Sequence, residues 1–140
     1  MIIPNNILNI ITSLKNESWI CELLQISNVY IVGGCVRDAF LEKNIKDIDL
    51  VIEGLQLNQI KNKLLNFGKV DIVGESFSVI KFKPNNFNGE PYDIAVPRTD
   101  KKIGIGHKGF KTITKNINII SDLKRRDFTI NSIAVNIKTG

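Results

Sequence analysis

One stretch decides the fold of this chain: residues 31–53, with the sequence IVGGCVRDAFLEKNIKDIDLVIE. It begins with apolar residues that end in Gly33 and Gly34, and it continues into a segment whose apolar residues have helical spacing. That order predicts a strand, a tight glycine turn and a helix over residues 35–42 whose first backbone N–H groups are free. Such a turn can hold a phosphate group, although most double glycines are plain turns.

Two aspartates lie near the end of the same stretch. Asp47 and Asp49 fall in an alternating pattern that predicts a strand over residues 47–52, with both carboxylates on one face. Asp93 lies in a similar pattern at residues 92–96, so three carboxylates meet on one face if the two strands are neighbours. Clustered carboxylates are costly without a cation, and Mg²⁺ prefers carboxylate oxygens and substrate phosphates. The pattern predicts a metal-dependent nucleotide site, and a solvent-facing strand surface is the alternative.

The composition is that of an ordinary globular domain. The chain has 140 residues, of which 43% are hydrophobic and 24% charged, so we expect one domain over residues 1–140. The sequence contains neither a signal-peptide pattern nor an apolar run of the roughly 20 residues that cross a bilayer, which predicts a cytoplasmic protein with no membrane partner. Cys21 and Cys35 lack metal-type spacing, and we expect two plain thiols.

Positive charge is concentrated towards the C-terminal end. The net charge is +5, and residues 98–126 contain nine Lys or Arg against two acids. This asymmetry favours a polyanionic partner. The run Lys124-Arg125-Arg126 also fits an ordinary solvated helix end. His107 is the only histidine, and we interpret it as a surface loop residue.

Apolar spacing predicts the remaining elements. Helices are expected over residues 5–26, with a break near 16–18, and over 57–67, ending at Gly68. Further strands are expected at 29–32, 69–73, 77–82, 92–96 and 132–137, with 77–82 and 92–96 paired as a hairpin. Periodicity fails over 98–120, which predicts a mobile loop, and residues 122–131 are predicted to be helical.

These elements predict an α/β (α+β) fold. We expect a mixed, mainly antiparallel sheet, with helices packed on one side and the carboxylates on the other.

Four motifs together resemble the class II tRNA nucleotidyltransferase and bacterial poly(A) polymerase family. They are GGCVRD at residues 33–38, DID at 47–49, Asp93 five residues before Arg98, and RRDFTIN at 125–131. The resemblance is to the catalytic head domain, within the polymerase-beta-like nucleotidyltransferase superfamily. It covers nearly the whole chain after Asn28, with the motifs in the family's order.

The resemblance implies a role for each matching residue. It implies that Asp47 and Asp49 hold two Mg²⁺ ions and that Asp93 is the third carboxylate, adjacent to the attacking 3′ hydroxyl. It also implies that Asp127, supported by Asn131, senses the ribose 2′ hydroxyl, and that residues 99–120 form the family's flexible loop. The implied nucleotide-binding residues are Gly33, Gly34 and Arg37 at the triphosphate, together with Arg98, Arg126, Asp127 and Asn131.

The activity that the resemblance implies is template-independent addition of CMP and AMP, from CTP and ATP, to an RNA 3′ end, with tRNA as the expected RNA. Metal ions would stabilise both the attacking and the leaving oxygen. Poly(A) polymerase shares these motifs and is the alternative enzyme. Family members continue into neck, body and tail domains, which we expect to be absent from this sequence. A further alternative is therefore the catalytic half of a split enzyme, or a non-catalytic assembly module, that needs a separate chain supplying neck and body.

Overall fold

The computed structural model describes residues 2–74, 79–102, 110–127 and 129–140. In chain order the elements are α1 (Asn5–Lys15), α2 (Ser18–Ile26), β1 (Asn28–Val32), α3 (Gly34–Phe40), β2 (Asp49–Glu53), α4 (Leu57–Leu64), β3 (Gly68–Val73), β4 (Val79–Pro84), β5 (Tyr92–Ala95), β6 (Thr99–Lys102), β7 (Phe110–Ile113), α5 (Ile119–Lys124), a 3₁₀ turn (Thr129–Asn131) and β8 (Ala134–Asn136).

Six of the strands form one sheet in the order β3-β4-β5-β2-β1-β8. Every neighbouring pair is antiparallel except β2 and β5, which run parallel. The predicted mixed, mainly antiparallel sheet and the hairpin of β4 with β5 are therefore confirmed. In the parallel pair, Asp49 lies directly opposite Asp93, so the topology brings two distant carboxylates to one place.

Alternation along the strands separates the two faces of the sheet. Leu50 and Ile52 of β2 are buried in the main core, against α1–α4. Trp19 and Phe82 are large side chains of that core, and their rings pack edge-on with centroids 4.9 Å apart. Asp49 and the other odd-numbered residues of β2 point to the opposite face, because successive side chains in a strand alternate.

Helices α1–α4 pack on the side predicted for the helices, but α5 does not. Ile119 and Leu123 of α5 pack against Val32 and Val51, which belong to the other face of the sheet. The physical reason is that Val51 and Val32 leave an apolar strip on that face, and the apolar side of α5 covers it. The face that carries the carboxylates is therefore partly covered by a helix.

Most element boundaries agree with the prediction. The N-terminal helical segment breaks between α1 and α2, as expected, and β1, β3 and α4 lie within or beside their predicted ranges. The strand β2 begins at Asp49, so Asp47 precedes it instead of lying inside it. Both cysteines are free thiols, and Cys35 is buried. Within the described part of the chain, no helix combines the length and the apolar character needed to cross a bilayer.

The prediction over residues 98–131 was wrong in two places. Strands β6 and β7 pair antiparallel, Thr99 opposite Ile113, in a stretch expected to be an irregular loop. Residues 103–109 of that stretch, with His107, lie outside the described residues. The helix expected over 122–131 begins earlier and ends at Lys124. It begins earlier because the Asn118 side chain accepts a hydrogen bond from Ser121 N at 2.9 Å, an N-cap that the apolar spacing did not reveal.

Candidate active site

Three aspartates gather where β2 and β5 begin, and we call Asp47, Asp49 and Asp93 the carboxylate wall. Asp49 and Asp93 are opposite each other on the parallel strands, and Asp93 N donates to Ile48 O at 3.3 Å. Burial raises the pKa of the Asp49 carboxyl above its ordinary value, and the charges of Asp93 and Asp47 raise it further. The fold therefore holds like charges close enough to repel.

The carboxylate wall fits a hard divalent cation. In the described residues, no three His, Cys, Asp or Glu side chains are arranged as a complete metal site. Mg²⁺, however, is usually bound by one or two carboxylates together with water and substrate phosphates. The opposed Asp49 and Asp93 supply such a pair. Burial is the main cause of the raised pKa of Asp49, and the part that comes from Asp93 and Asp47 is repulsion that a cation relieves. The donor chemistry therefore matches the predicted metal.

A lysine on the neighbouring strand contacts this wall. Lys81 of β4 is opposite Asp93 of β5, and its Nζ lies 2.7 Å from Asp93 Oδ1. Hydrogen bonding to Asp93 raises the pKa of Lys81, and the charges of Asp47 and Asp49 act in the same direction. Sequence reasoning missed Lys81, because the hairpin of β4 and β5 was predicted without a register.

The glycine turn lies against the same wall. Gly33 precedes α3 with φ of +77°, and a Cβ at this position would lie 3.1 Å from Asp49 Oδ2. A side chain is thus excluded both by the backbone conformation and by the neighbouring carboxylate. Gly34 lies in α3, where a Cβ would approach only the end of the Arg37 side chain, at 3.3 Å.

Arg37 is held in place from two directions. Its Nε donates to Asp38 Oδ1 at 2.9 Å and its Nη1 to Asn131 Oδ1 at 3.2 Å. Asp38 thus supports the guanidinium, and its own pKa is lowered by that hydrogen bond. Asn131 contacts Arg37, whereas the resemblance implied that it supports Asp127. Asp127 is exposed, just after α5.

A second group, which we call the arginine wall, consists of Asp122, Arg125 and Arg126 on and just after α5. The Asp122 side chain is only 1% exposed. Its Oδ1 accepts from Arg125 Nε and Nη2 at 3.1 and 3.0 Å, and its Oδ2 accepts from Arg126 Nε and Nη2 at 3.1 and 2.9 Å. Arg98 N also donates to Oδ1, at 2.9 Å. One buried carboxylate therefore orients two guanidinium groups and also binds the backbone of Arg98, just before β6.

Sequence reasoning also missed Asp122 and Glu53. The signal for Asp122 was an acid three and four residues before two arginines, a spacing that places all three on one side of a helix. Glu53 lies on β2, and its Oε2 accepts from Ile119 N, the first residue of α5, at 2.6 Å. The strand that carries Asp49 at one end therefore anchors α5 at the other.

Both walls line one cavity of about 540 Å³. Asp49 and Asp93 of the carboxylate wall line it together with Arg98 and with Asp122, Arg125 and Arg126 of the arginine wall. The Nη1 of Arg126 would lie 3.9 Å from a Cβ at Gly33, so the arginine wall meets the glycine turn beside Asp49. The volume is in the usual range for small-molecule sites.

A family model described as the poly A polymerase head domain matches residues 29–140. The chain belongs to this head-domain family. A relative, the multifunctional CCA protein of Psychromonas ingrahamii, is 39% identical over 107 residues, which are 76% of this chain and 24% of that protein. This head domain therefore spans about a quarter of the length of that curated relative.

Solved structures with the same fold are CCA-adding enzymes. The apo form II of one superposes on this head domain with a TM-score of 0.70 and 30% identity, covering 94% of this chain and 29% of that one. A CCA-adding enzyme in complex with CTP superposes with a TM-score of 0.59 and 30% identity, covering 94% of this chain and 28% of that one. The Thermotoga maritima CCA-adding enzyme complexed with tRNA superposes with a TM-score of 0.58 and 29% identity, covering 94% of this chain and 26% of that one. The similarity thus spans nearly all of this head domain and less than a third of each neighbour.

Proposed function

We propose that this head domain catalyses nucleotidyl transfer, adding CMP and AMP from CTP and ATP to the 3′ end of an RNA, with tRNA as the substrate. The proposal is supported by relatives named for CCA addition and by similar structures solved with CTP and with tRNA. The observation that carries it is that carboxylates and oriented guanidinium groups line the same cavity. The cytoplasmic location predicted from the sequence is part of this proposal.

In this proposal, Asp47 and Asp49 would hold Mg²⁺, as the resemblance implies, and Asp93, opposite Asp49, would be the third carboxylate of the set. The bound ion supplies electrostatic stabilisation of the charge that develops on the attacking and leaving oxygens. The pKa of Asp49 is raised mainly by burial and further by the charges of Asp93 and Asp47, and that repulsion supports this assignment because a cation removes it. Mg²⁺ is the specific ion that we propose, since carboxylates and phosphates are the ligands it prefers.

The reaction is an in-line displacement at the α-phosphorus of the nucleotide. The RNA 3′ hydroxyl loses its proton to solvent as its oxygen forms a new bond to that phosphorus, the bond to the β-phosphate oxygen breaks, and pyrophosphate leaves. Asp93 lies next to the attacking hydroxyl in this scheme. Arg125 and Arg126, already oriented by Asp122, offer charged N–H donors to the triphosphate.

The glycine turn and Arg37 complete the proposed nucleotide site. Gly33 lets the backbone approach Asp49 without a side chain between them. Arg37, held by Asp38 and Asn131, presents a fixed guanidinium near the same turn. We assign Asp127 to the ribose on the basis of the resemblance, and its exposure leaves it accessible to a ligand.

The test is transfer of labelled CTP and ATP, each alone and both together with Mg²⁺, to tRNA lacking its 3′ end and to a generic RNA. We expect CMP and AMP to be added to the tRNA, and the variant Asp49→Ala to lose about 10³-fold in rate, because it removes several kcal/mol of stabilisation. Glu22→Ala is the matched control, since Glu22 is a partly exposed acid on α2, on the opposite face of the sheet. Retained transfer in Asp49→Ala would remove the assignment of the carboxylate wall.

The same assay separates the alternatives. Addition of AMP alone, to either RNA, would identify a poly(A) polymerase instead. A folded protein that binds the metal but transfers no nucleotide would favour the split enzyme, in which a separate chain binds the RNA.

A further inference from the structure

The carboxylate wall has a cation of its own in Lys81. The Nζ of Lys81 lies 2.7 Å from Asp93 Oδ1, which is hydrogen-bond distance for a charged pair. The two residues are opposite each other on β4 and β5, so the sheet itself sets this contact. A salt bridge at this position engages one of the oxygens that a metal ion would use.

Lys81 differs from the next lysine on the same face of the same strand. Lys83 is two residues further along β4, and it lies opposite Lys69 of β3. It therefore faces a like charge, whereas Lys81 lies opposite Asp71 of β3 and contacts Asp93 of β5. Proximity to the carboxylate wall, and not a general basic surface, distinguishes Lys81.

We propose that Lys81 is a built-in counter-cation that competes with the divalent metal for Asp93, so that the nucleotide-free protein binds the metal weakly. The inference rests on the proposed function, which assigns the metal to this wall. An ammonium group and a divalent ion repel each other when both contact the Asp93 carboxylate, whichever of its two oxygens the ion takes. The metal therefore binds Asp93 more favourably once Lys81 has moved away.

The exposure of the pair permits this exchange. The Lys81 side chain is 48% exposed and that of Asp93 is 37% exposed, so the ammonium can move into solvent without being buried unpaired. A nucleotide that arrives with its metal brings phosphate charge that offsets the displaced ammonium. Metal binding and nucleotide binding are thereby coupled through Lys81.

The experiment measures Mn²⁺ binding, by calorimetry and by paramagnetic resonance, to the nucleotide-free protein at low ionic strength. Mn²⁺ prefers the same oxygen ligands as Mg²⁺. We expect Lys81→Met to bind Mn²⁺ about fivefold more tightly than the unmodified chain, since an exposed ion pair of this kind contributes up to about that factor. Lys83→Met, the matched control, keeps the original affinity, and Lys81→Arg keeps the weak binding because it retains the charge.

Ionic strength gives a second readout that a purely structural role of Lys81 would not affect. The difference between Lys81→Met and the unmodified chain should shrink in about 1 M salt, where charges are screened within roughly 3 Å. Equal affinities for Lys81→Met and Lys83→Met, with Asp49→Ala strongly impaired, would overturn the role of Lys81 and leave the metal site intact. Unimpaired binding in Asp49→Ala would instead overturn the metal assignment of the proposed function.

Discussion

The arginine wall and the carboxylate wall line the same cavity, but they differ in how their charges are paired. In the arginine wall, the buried Asp122 accepts from two guanidinium groups, and each of its oxygens has two side-chain donors. In the carboxylate wall, Asp49 and Asp93 face each other with Asp47 nearby, and Lys81 contacts one of them. The first wall is satisfied within the protein, whereas the second retains an excess of negative charge.

This difference indicates what each wall does. A guanidinium pair held by a buried carboxylate is oriented before any ligand arrives, which lowers the cost of binding an anion. A carboxylate cluster with unbalanced charge gains stability when a cation arrives. Opposite charges in one cavity are thus consistent with the proposed metal–nucleotide complex, whose parts are the phosphates and the ion.

The largest expected effect comes from breaking the arginine wall. We expect Asp122→Asn to lower the free energy of unfolding by about 3 kcal/mol, because it leaves two arginines without their buried partner. Nucleotide should bind at least about tenfold more weakly, since Arg125 and Arg126 lose their orientation. Urea unfolding and calorimetry with CTP measure the two effects, and Glu22→Gln on α2 is the control.

Loss of stability with unchanged CTP affinity would mean that Asp122 supports the fold but does not orient the nucleotide contacts. Asp122→Glu sharpens the comparison, because it keeps the charge while shifting its position.

The next effect concerns the turn where the two walls meet. Gly33→Ala should cost about 1–3 kcal/mol, because alanine is disfavoured at φ of +77° and its Cβ would press on Asp49. Gly34→Ala should cost less than about 1 kcal/mol, since its Cβ meets only the flexible end of Arg37. Thermal unfolding of both variants tests this, and equal losses would contradict the assigned geometry.

The smallest expected effect is on the carboxylate wall, where a substitution should stabilise the fold instead of destabilising it. In metal-free buffer, we expect Asp49→Asn to stabilise the fold by about 1 kcal/mol near pH 7, an ordinary size for one substitution. The folded-state pKa of Asp49 is raised by burial and by neighbouring acids, so protonation favours the folded state. The unmodified chain should therefore lose stability relative to Asp49→Asn as the pH rises above about 4. Denaturation curves at several pH values measure this. A destabilised Asp49→Asn would show that the charge of Asp49 does not destabilise the folded state.

The sequence predicted the features that depend on interactions between residues close together in the chain. Strand, glycine turn, helix and second strand over residues 31–53 depend on local patterns, and the structure contains all four in that order. The pairing of β2 with β5 was a condition in the prediction, and the structure satisfies it. It depends on a contact between residues far apart in the chain, which no local pattern specifies.

The parts that the sequence did not predict depend on tertiary contacts. Strand β6 contains Thr99, Asp100 and two lysines, without the apolar alternation that marks a strand, and it is stabilised by pairing with β7. The position of α5 depends on Glu53 and on the apolar strip of Val32 and Val51. The contact of Lys81 follows from the strand register, which the sequence alone does not specify. The spacing of Asp122 to Arg125 and Arg126 was visible in the sequence, but its burial depends on the packing of α5.

The most direct test of the two-wall account is calorimetric binding of CTP to the unmodified chain, with Mg²⁺ and with a chelator in its place. The account predicts binding at least about tenfold tighter with Mg²⁺, because without a cation the carboxylate wall repels the triphosphate. In Asp49→Asn that dependence on Mg²⁺ should largely disappear. Equal affinity with and without Mg²⁺ in the unmodified chain would contradict the claim that the two walls hold the two parts of one metal–nucleotide complex.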